Sequence, residues 1–209
     1  AVGTATAANV ATTSRHTYQK CIEYLVTTAS TSATAGWRIA AAQHTIGAPS
    51  DGNGGFHFVN RWGPATGVAT ATNRAFVGMS SATAAPNDVE PSSIANIVGM
   101  GWDAADANVQ IMHRGAGAVT KIDLGASFPV PSVDRTACYE LAMFSPPGTT
   151  QSVAWEVTDL TTGAVATGTI NSNLPTTATL LAPRGWMSVG GTSSVIGIAL
   201  MSLYIETDY

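Results

Sequence analysis

The chain has 209 residues, 45% hydrophobic and 11% charged, with 9 Lys+Arg against 13 Asp+Glu for a net charge of −4. That length suits one sandwich- or barrel-type domain, or two small ones at most. Two lysines (Lys20 and Lys121) and a pI near 5.4 exclude the basic footprint that nucleic acid requires, and large apolar residues spread along the whole chain exclude disorder.

A typical soluble domain carries roughly 25% charged residues, so this surface draws on uncharged Ala, Thr, Ser and Gly instead. The longest apolar run, Val195 to Tyr204, is about half of the ~20 residues that cross a bilayer as a helix, and no membrane insertion is expected. The N-terminus shows neither a signal-peptide pattern nor an initiator Met, which points to a processed chain or a piece of a longer one.

In chain order, residues 1–14 are Ala/Thr-rich without helical periodicity and read as an arm or linker before a single domain over 15–209. Strand-like segments follow at His16–Val26, Trp37–Gln43, Phe56–Trp62, Ala75–Met79, Ile97–Trp102, Val109–Arg114 and Val119–Leu124. Further ones fall at Cys138–Phe144, Val153–Leu160, Val165–Ile170, Leu180–Met187 and Val195–Asp208. Turn chemistry separates them: Asp51-Gly52-Asn53-Gly54-Gly55, Ser145-Pro146-Pro147-Gly148 and Thr161-Thr162-Gly163. A single helical turn is expected near Pro91–Asn96. Roughly a dozen short strands with no amphipathic helix predict an all-β fold, an antiparallel sandwich or barrel. One hairpin is readable in detail. Val153, Trp155 and Val157 share one face, Thr161-Thr162-Gly163 reverses the chain, and the Trp155 face is expected inside.

Chemistry-bearing patterns are sparse. Asp103 and Asp106 in GWDAADAN form either a carboxylate pair for a cation or proton, or a turn in which they accept local N–H bonds. Ser50–Gly55 lacks the spaced acids of a calcium loop. His16, His44, His57 and His113 show no metal-ligand spacing and read as bonded or half-exposed histidines on strands. No Gly-x-Ser-x-Gly elbow is present, and no cofactor or metal is expected. Cys21 and Cys138 read as buried thiols unless the first and middle strands lie side by side. Trp62, at a strand end before Gly63-Pro64, is a candidate sugar-stacking platform, whereas Trp37, Trp102, Trp155 and Trp186 read as core.

The stretches GFHFVNRWG (Gly55–Gly63), AFVGM (Ala75–Met79), NIVGMGWDAADANVQIMHR (Asn96–Arg114), LPTTATLLAPRGWMSVGG (Leu174–Gly191) and IALMSLYIETDY (Ile198–Tyr209) resemble the C-terminal domain of bacteriophage tail fibre, spike and other virion appendage proteins. The resemblance covers about residues 36–209. It implies a concanavalin-like jelly roll, a homotrimer, a location on the virion and attachment to the particle through the N-terminal side. It transfers no set of binding residues.

Three functions compete: a receptor-binding fibre tip that adsorbs to bacterial surface polysaccharide, a structural trimerising cap or decoration, and a polysaccharide-cleaving enzyme on the same scaffold. A non-enzymatic binding module is the expectation. Recognition residues are sought in loops, at Asp51, Asn53, His57, Trp62, Asn87, Asp103, Asp106, His113 and Arg114.

Overall fold

Thirteen strands are formed among residues 1–11, 18–47, 54–147 and 151–207, which the computed structural model describes. They are β1 Thr4–Ala8, β2 Cys21–Ser30, β3 Thr34–Arg38, β4 Phe56–Thr66, β5 Arg74–Ser80, β6 Ile97–Trp102 and β7 Gln110–Arg114. The rest are β8 Thr120–Asp123, β9 Tyr139–Ser145, β10 Val153–Asp159, β11 Val165–Ile170, β12 Ala182–Ser188 and β13 Ser194–Glu206. A seven-stranded sheet runs β1-β2-β13-β4-β9-β10-β11 and a six-stranded sheet runs β3-β12-β5-β6-β7-β8, with antiparallel pairing throughout. The expected all-β two-sheet sandwich is the fold.

The core lies between the sheets. Phe56, Phe58 and Trp62 of β4, Tyr139, Leu141 and Met143 of β9, and Val153, Trp155 and Val157 of β10 meet Val77, Met79, Val98, Met100, Trp102 and Ile111 from the other sheet. Alternation is clean on β9 and β10, each with one face in the core and one facing outward. The hairpin closes as read from the sequence. Trp155 is buried, Asp159 Oδ1 accepts the Thr161 and Thr162 N–H groups, and Gly163 takes φ +81°, a conformation suited to glycine.

Strands β5, β6 and β12 show no such alternation because they are buried on both faces. A strap over residues 81–96, closed by Ser81 N–H to Asn96 O at 3.0 Å, crosses the outer face of the six-stranded sheet. Beneath it Phe76, Ile97, Met112 and Trp186 form a second apolar cluster, with Ile94 of the strap packed on it. Gly99 has no Cβ because one would stand 2.3 Å from Val77 O and 2.9 Å from Phe76 Cζ. The expected helical turn is a short 3-10 turn at Pro91–Ser93 in this strap.

Three expectations need correction. Part of the stretch read as an arm is structured: Thr4–Ala8 pairs with β2 as an edge strand. The strand expected over Trp37–Gln43 is Thr34–Arg38 instead, pairing Trp37 with Gly185. The segment expected from His16 starts as a strand only at Cys21, and His16 itself lies outside the described residues. Both cysteines are buried. Strands β13 and β4 separate Cys21 on β2 from Cys138 beside β9, so the side-by-side arrangement a bridge needed is not formed.

Candidate functional site

Of the residues proposed from the sequence, Asn87 lies on the strap, and Asp103, Asp106 and Arg114 anchor it or brace its anchor. Asp103 is buried; its Oδ1 accepts Ser92 N–H at 3.1 Å and its Oδ2 lies 2.7 Å from Lys121 Nζ. Asp106 Oδ2 accepts Asp103 N–H at 2.8 Å and also lies 2.7 Å from Lys121 Nζ. Glu90 accepts Ala104 N–H at 3.1 Å and faces Arg74 at 3.4 Å. Arg114 donates to Ser92 O, Ser93 O and Gly117 O. The GWDAADAN pair is therefore a turn, and it doubles as an anchor for the strap.

Charge explains the arrangement. Burial pushes the Asp103 carboxyl up, but its bonds to Lys121 and Ser92 outweigh this and hold it below its ordinary value. Burial lowers the Lys121 ammonium, and its bonds to Asp103 and Asp106 more than restore it. Glu90 is raised, first by burial and then by the charge of Asp103, against the Ala104 N–H and Arg74.

The remaining candidates separate. His113 is buried with Nδ1 3.3 Å from Asn173 O, and burial lowers its pKa. Asn87 is exposed on the strap. Asp51 and Asn53 lie outside the described residues. Trp62 is no platform: it is fully buried, stacked on Trp102 at 5.9 Å and tilted against Tyr139 at 5.5 Å. The Gly63-Pro64 step does not end the strand, since β4 continues to Thr66 and keeps Trp62 on the core face.

Of the described candidates, His57 lines a cavity. Outward side chains on the seven-stranded sheet fall into cross-strand rows across β13, β4, β9, β10 and β11. One row reads Glu206, His57, Phe144, Ala154, Thr169 and the next Tyr204, Val59, Ala142, Glu156, Thr167. A third reads Ser202, Arg61, Glu140, Thr158, Val165. Small residues occupy the middle: Ala142 and Ala154 leave a trough of about 400 Å³ between the taller neighbours His57, Phe144, Glu156, Thr167 and Thr169. Four strand spacings of about 4.8 Å make the lattice roughly 19 Å wide.

The trough mixes ring faces with hydrogen-bonding groups. Phe144 is 39% and Tyr204 51% exposed. His57 sits between them in edge contacts of 6.2 and 5.9 Å. Glu206 lies 3.5 Å from His57 Nδ1 and accepts the Tyr204 hydroxyl. Arg61 is paired with Glu140. Sequence reading missed Phe144, Tyr204, Glu156, Thr167 and Thr169. The period-two pattern of β10 marks Glu156 as outward, but the pairing of β4 with β9, which brings His57 beside Phe144, joins segments far apart in the chain and has no local signal.

No known family model matches the sequence, and no curated protein does. Solved structures share the fold. A carbohydrate esterase from the Shiga toxin-encoding bacteriophage phi24B aligns over 100% of this chain and 89% of its own, with a TM-score of 0.54 and 14% identity. The lectin UEA-II complexed with galactose aligns over 100% and 92%, with a TM-score of 0.57 and 14% identity. Peanut lectin aligns over 99% and 91%, with a TM-score of 0.51 and 15% identity. The chain is a lectin-like jelly-roll sandwich. At these identities the likeness is one of fold, and the fold agrees with the concanavalin-like class that the sequence resemblance implied. No described helix is long and apolar enough to cross a membrane.

Proposed function

We propose that the chain is a non-enzymatic glycan-binding module at the tip of a bacteriophage tail fibre or spike, with the trough on the seven-stranded sheet as its receptor site. The trough carries the reading. It sets an exposed aromatic ring, Phe144, beside the hydroxyls of Thr167 and Thr169 on a rigid sheet, and sugar recognition needs an apolar ring face beside fixed donors and acceptors. That solved structures of this fold include a galactose-complexed lectin and a phage carbohydrate esterase supports both the ligand class and the setting. A binding role also fits the carboxylates. Glycosidases of the common two-acid type need a pair flanking the scissile bond, and Glu156 is the single carboxylate among the described residues lining the trough. Three exposed apolar side chains, Val10, Tyr18 and Ile22, lie on the N-terminal side, where a trimer joined to a shaft would cover them.

The test is a bacterial-glycan array with the chain and Phe144→Ala. A saccharide hit whose affinity falls about tenfold in the variant, at an unchanged melting temperature, supports the site; a tenfold loss corresponds to about 1.4 kcal/mol. A blank array across host polysaccharides overturns the function, and a hit indifferent to Phe144→Ala moves the site elsewhere.

A further inference from the structure

Resting on that reading, we infer that the trough selects glycans bearing a free, protonated amino group, a hexosamine that is not N-acetylated, over neutral and anionic sugars. The charge balance of the outer face carries the inference. Three carboxylates stand on its rows, and two are engaged: Glu140 by Arg61, and Glu206 by the Tyr204 hydroxyl with His57 nearby. Glu156 is exposed, lines the trough and has no ion-pair partner among the described residues. The one arginine on these rows, Arg61, is spent on Glu140, and His57 stands beside Glu206, so among the described residues the trough offers a uronate or sialate carboxylate no unpaired guanidinium or ammonium and one repelling charge.

Placement gives the carboxylate a reading geometry. Glu156 stands directly opposite Thr167 on β11 and opposite Ala142 on β9, with Phe144 diagonal to it on the same face. Diagonal neighbours across a sheet lie about 7–8 Å apart. A pyranose laid over Ala142 and Ala154 with its C–H face on Phe144 therefore brings a ring substituent to Glu156 and its hydroxyls to Thr167 and Thr169. An ammonium in that place makes a charge-assisted bond to the carboxylate. An N-acetyl group offers only a neutral amide N–H and adds bulk.

Isothermal titration at mildly acidic pH, where the amine is protonated and a carboxylate ionised, compares tetra-glucosamine, its fully N-acetylated counterpart and an oligogalacturonate. The free-amine oligosaccharide is expected to bind at least about tenfold tighter than the N-acetylated one, with the uronate weakest. Glu156→Gln is expected to level the first two, and this exposed position leaves the fold intact. Asp123→Asn, at an exposed position of β8 on the other sheet, controls for general attraction of a polycation to an acidic protein and is expected to keep the preference. Equal affinity for the two oligosaccharides in the unmodified chain, a preference that survives Glu156→Gln, or an equal loss with Asp123→Asn overturns the selectivity and leaves glycan binding standing. No binding of any of the three, together with a blank array, overturns both.

Discussion

Replacing Trp62 by alanine is expected to destabilise the fold by about 3–5 kcal/mol, the range for removing a large aromatic side chain from a packed core. Trp62 is fully buried where the sheets meet, and its ring packs between Trp102 and Tyr139. Its indole N–H points at Met100 Sδ at 3.4 Å, whereas the Trp102 N–H has its own acceptor in Asn73 Oδ1 at 2.8 Å. Removing Trp62 thus opens a void beside Trp102, whose ring is held by its bond to Asn73. Against a total stability of about 5–15 kcal/mol for a domain, the loss is a large share of the whole. Trp62→Phe keeps most of the volume and is expected to cost about 1–2 kcal/mol. Urea melts of the three proteins decide the matter. A surface stacking platform would give the opposite pattern, unchanged stability with lost sugar binding, and an alanine variant within about 1 kcal/mol of the parent would return Trp62 to that role.

Trp62 also shows what the sequence carries and what it does not. In the segment Phe56–Trp62, Phe56, Phe58 and Trp62 fall on one face of a strand, and the same period of two places Trp155 inside. The face a strand-end residue takes depends on whether the strand ends there, and nothing local distinguishes a Gly-Pro that stops a strand from one carried through by pairing with β13. The same limit applies to Asp103 and Asp106. Their spacing marks a turn, but Lys121, which makes the turn an anchor, comes from β8 through the β7–β8 pairing. The trough is the extreme case. Glu156, Ala142 and Val59 share a row only because β4, β9 and β10 lie side by side, and that order is a property of the whole topology. Loops are the place to search on general grounds, whereas the proposed recognition surface lies on strands.

Lys121→Met is expected to lower stability by roughly 2–4 kcal/mol at neutral pH, because it removes the cation from between two largely buried carboxylates and leaves their charges uncompensated. The figure sits towards the low side of the range for fully buried pairs because the Lys121 side chain is 27% exposed. The pH dependence separates this cause from lost packing. In the unmodified chain Asp103 titrates below its ordinary value, so its ion pair contributes stability that is present above the unfolded pKa and lost as pH falls through the lowered folded one. Glu90 runs the other way: its raised pKa means that its ionised form costs stability at neutral pH, and the cost is relieved on acidification whether or not Lys121 is present. The gap in melting temperature between parent and variant is therefore expected to be widest near neutrality and to close as pH falls through the lowered folded pKa of Asp103, below the ordinary value of about 3.9. A gap that is constant with pH would mean that the lysine stem, packed beside Met112 in the register of β7 and β8, matters more than its charge. The strap gives a second readout. Asp103 holds Ser92 directly, so amide exchange at Ser92 and in the strap around it is expected to quicken in Lys121→Met before the central strands lose protection, as local opening precedes global unfolding.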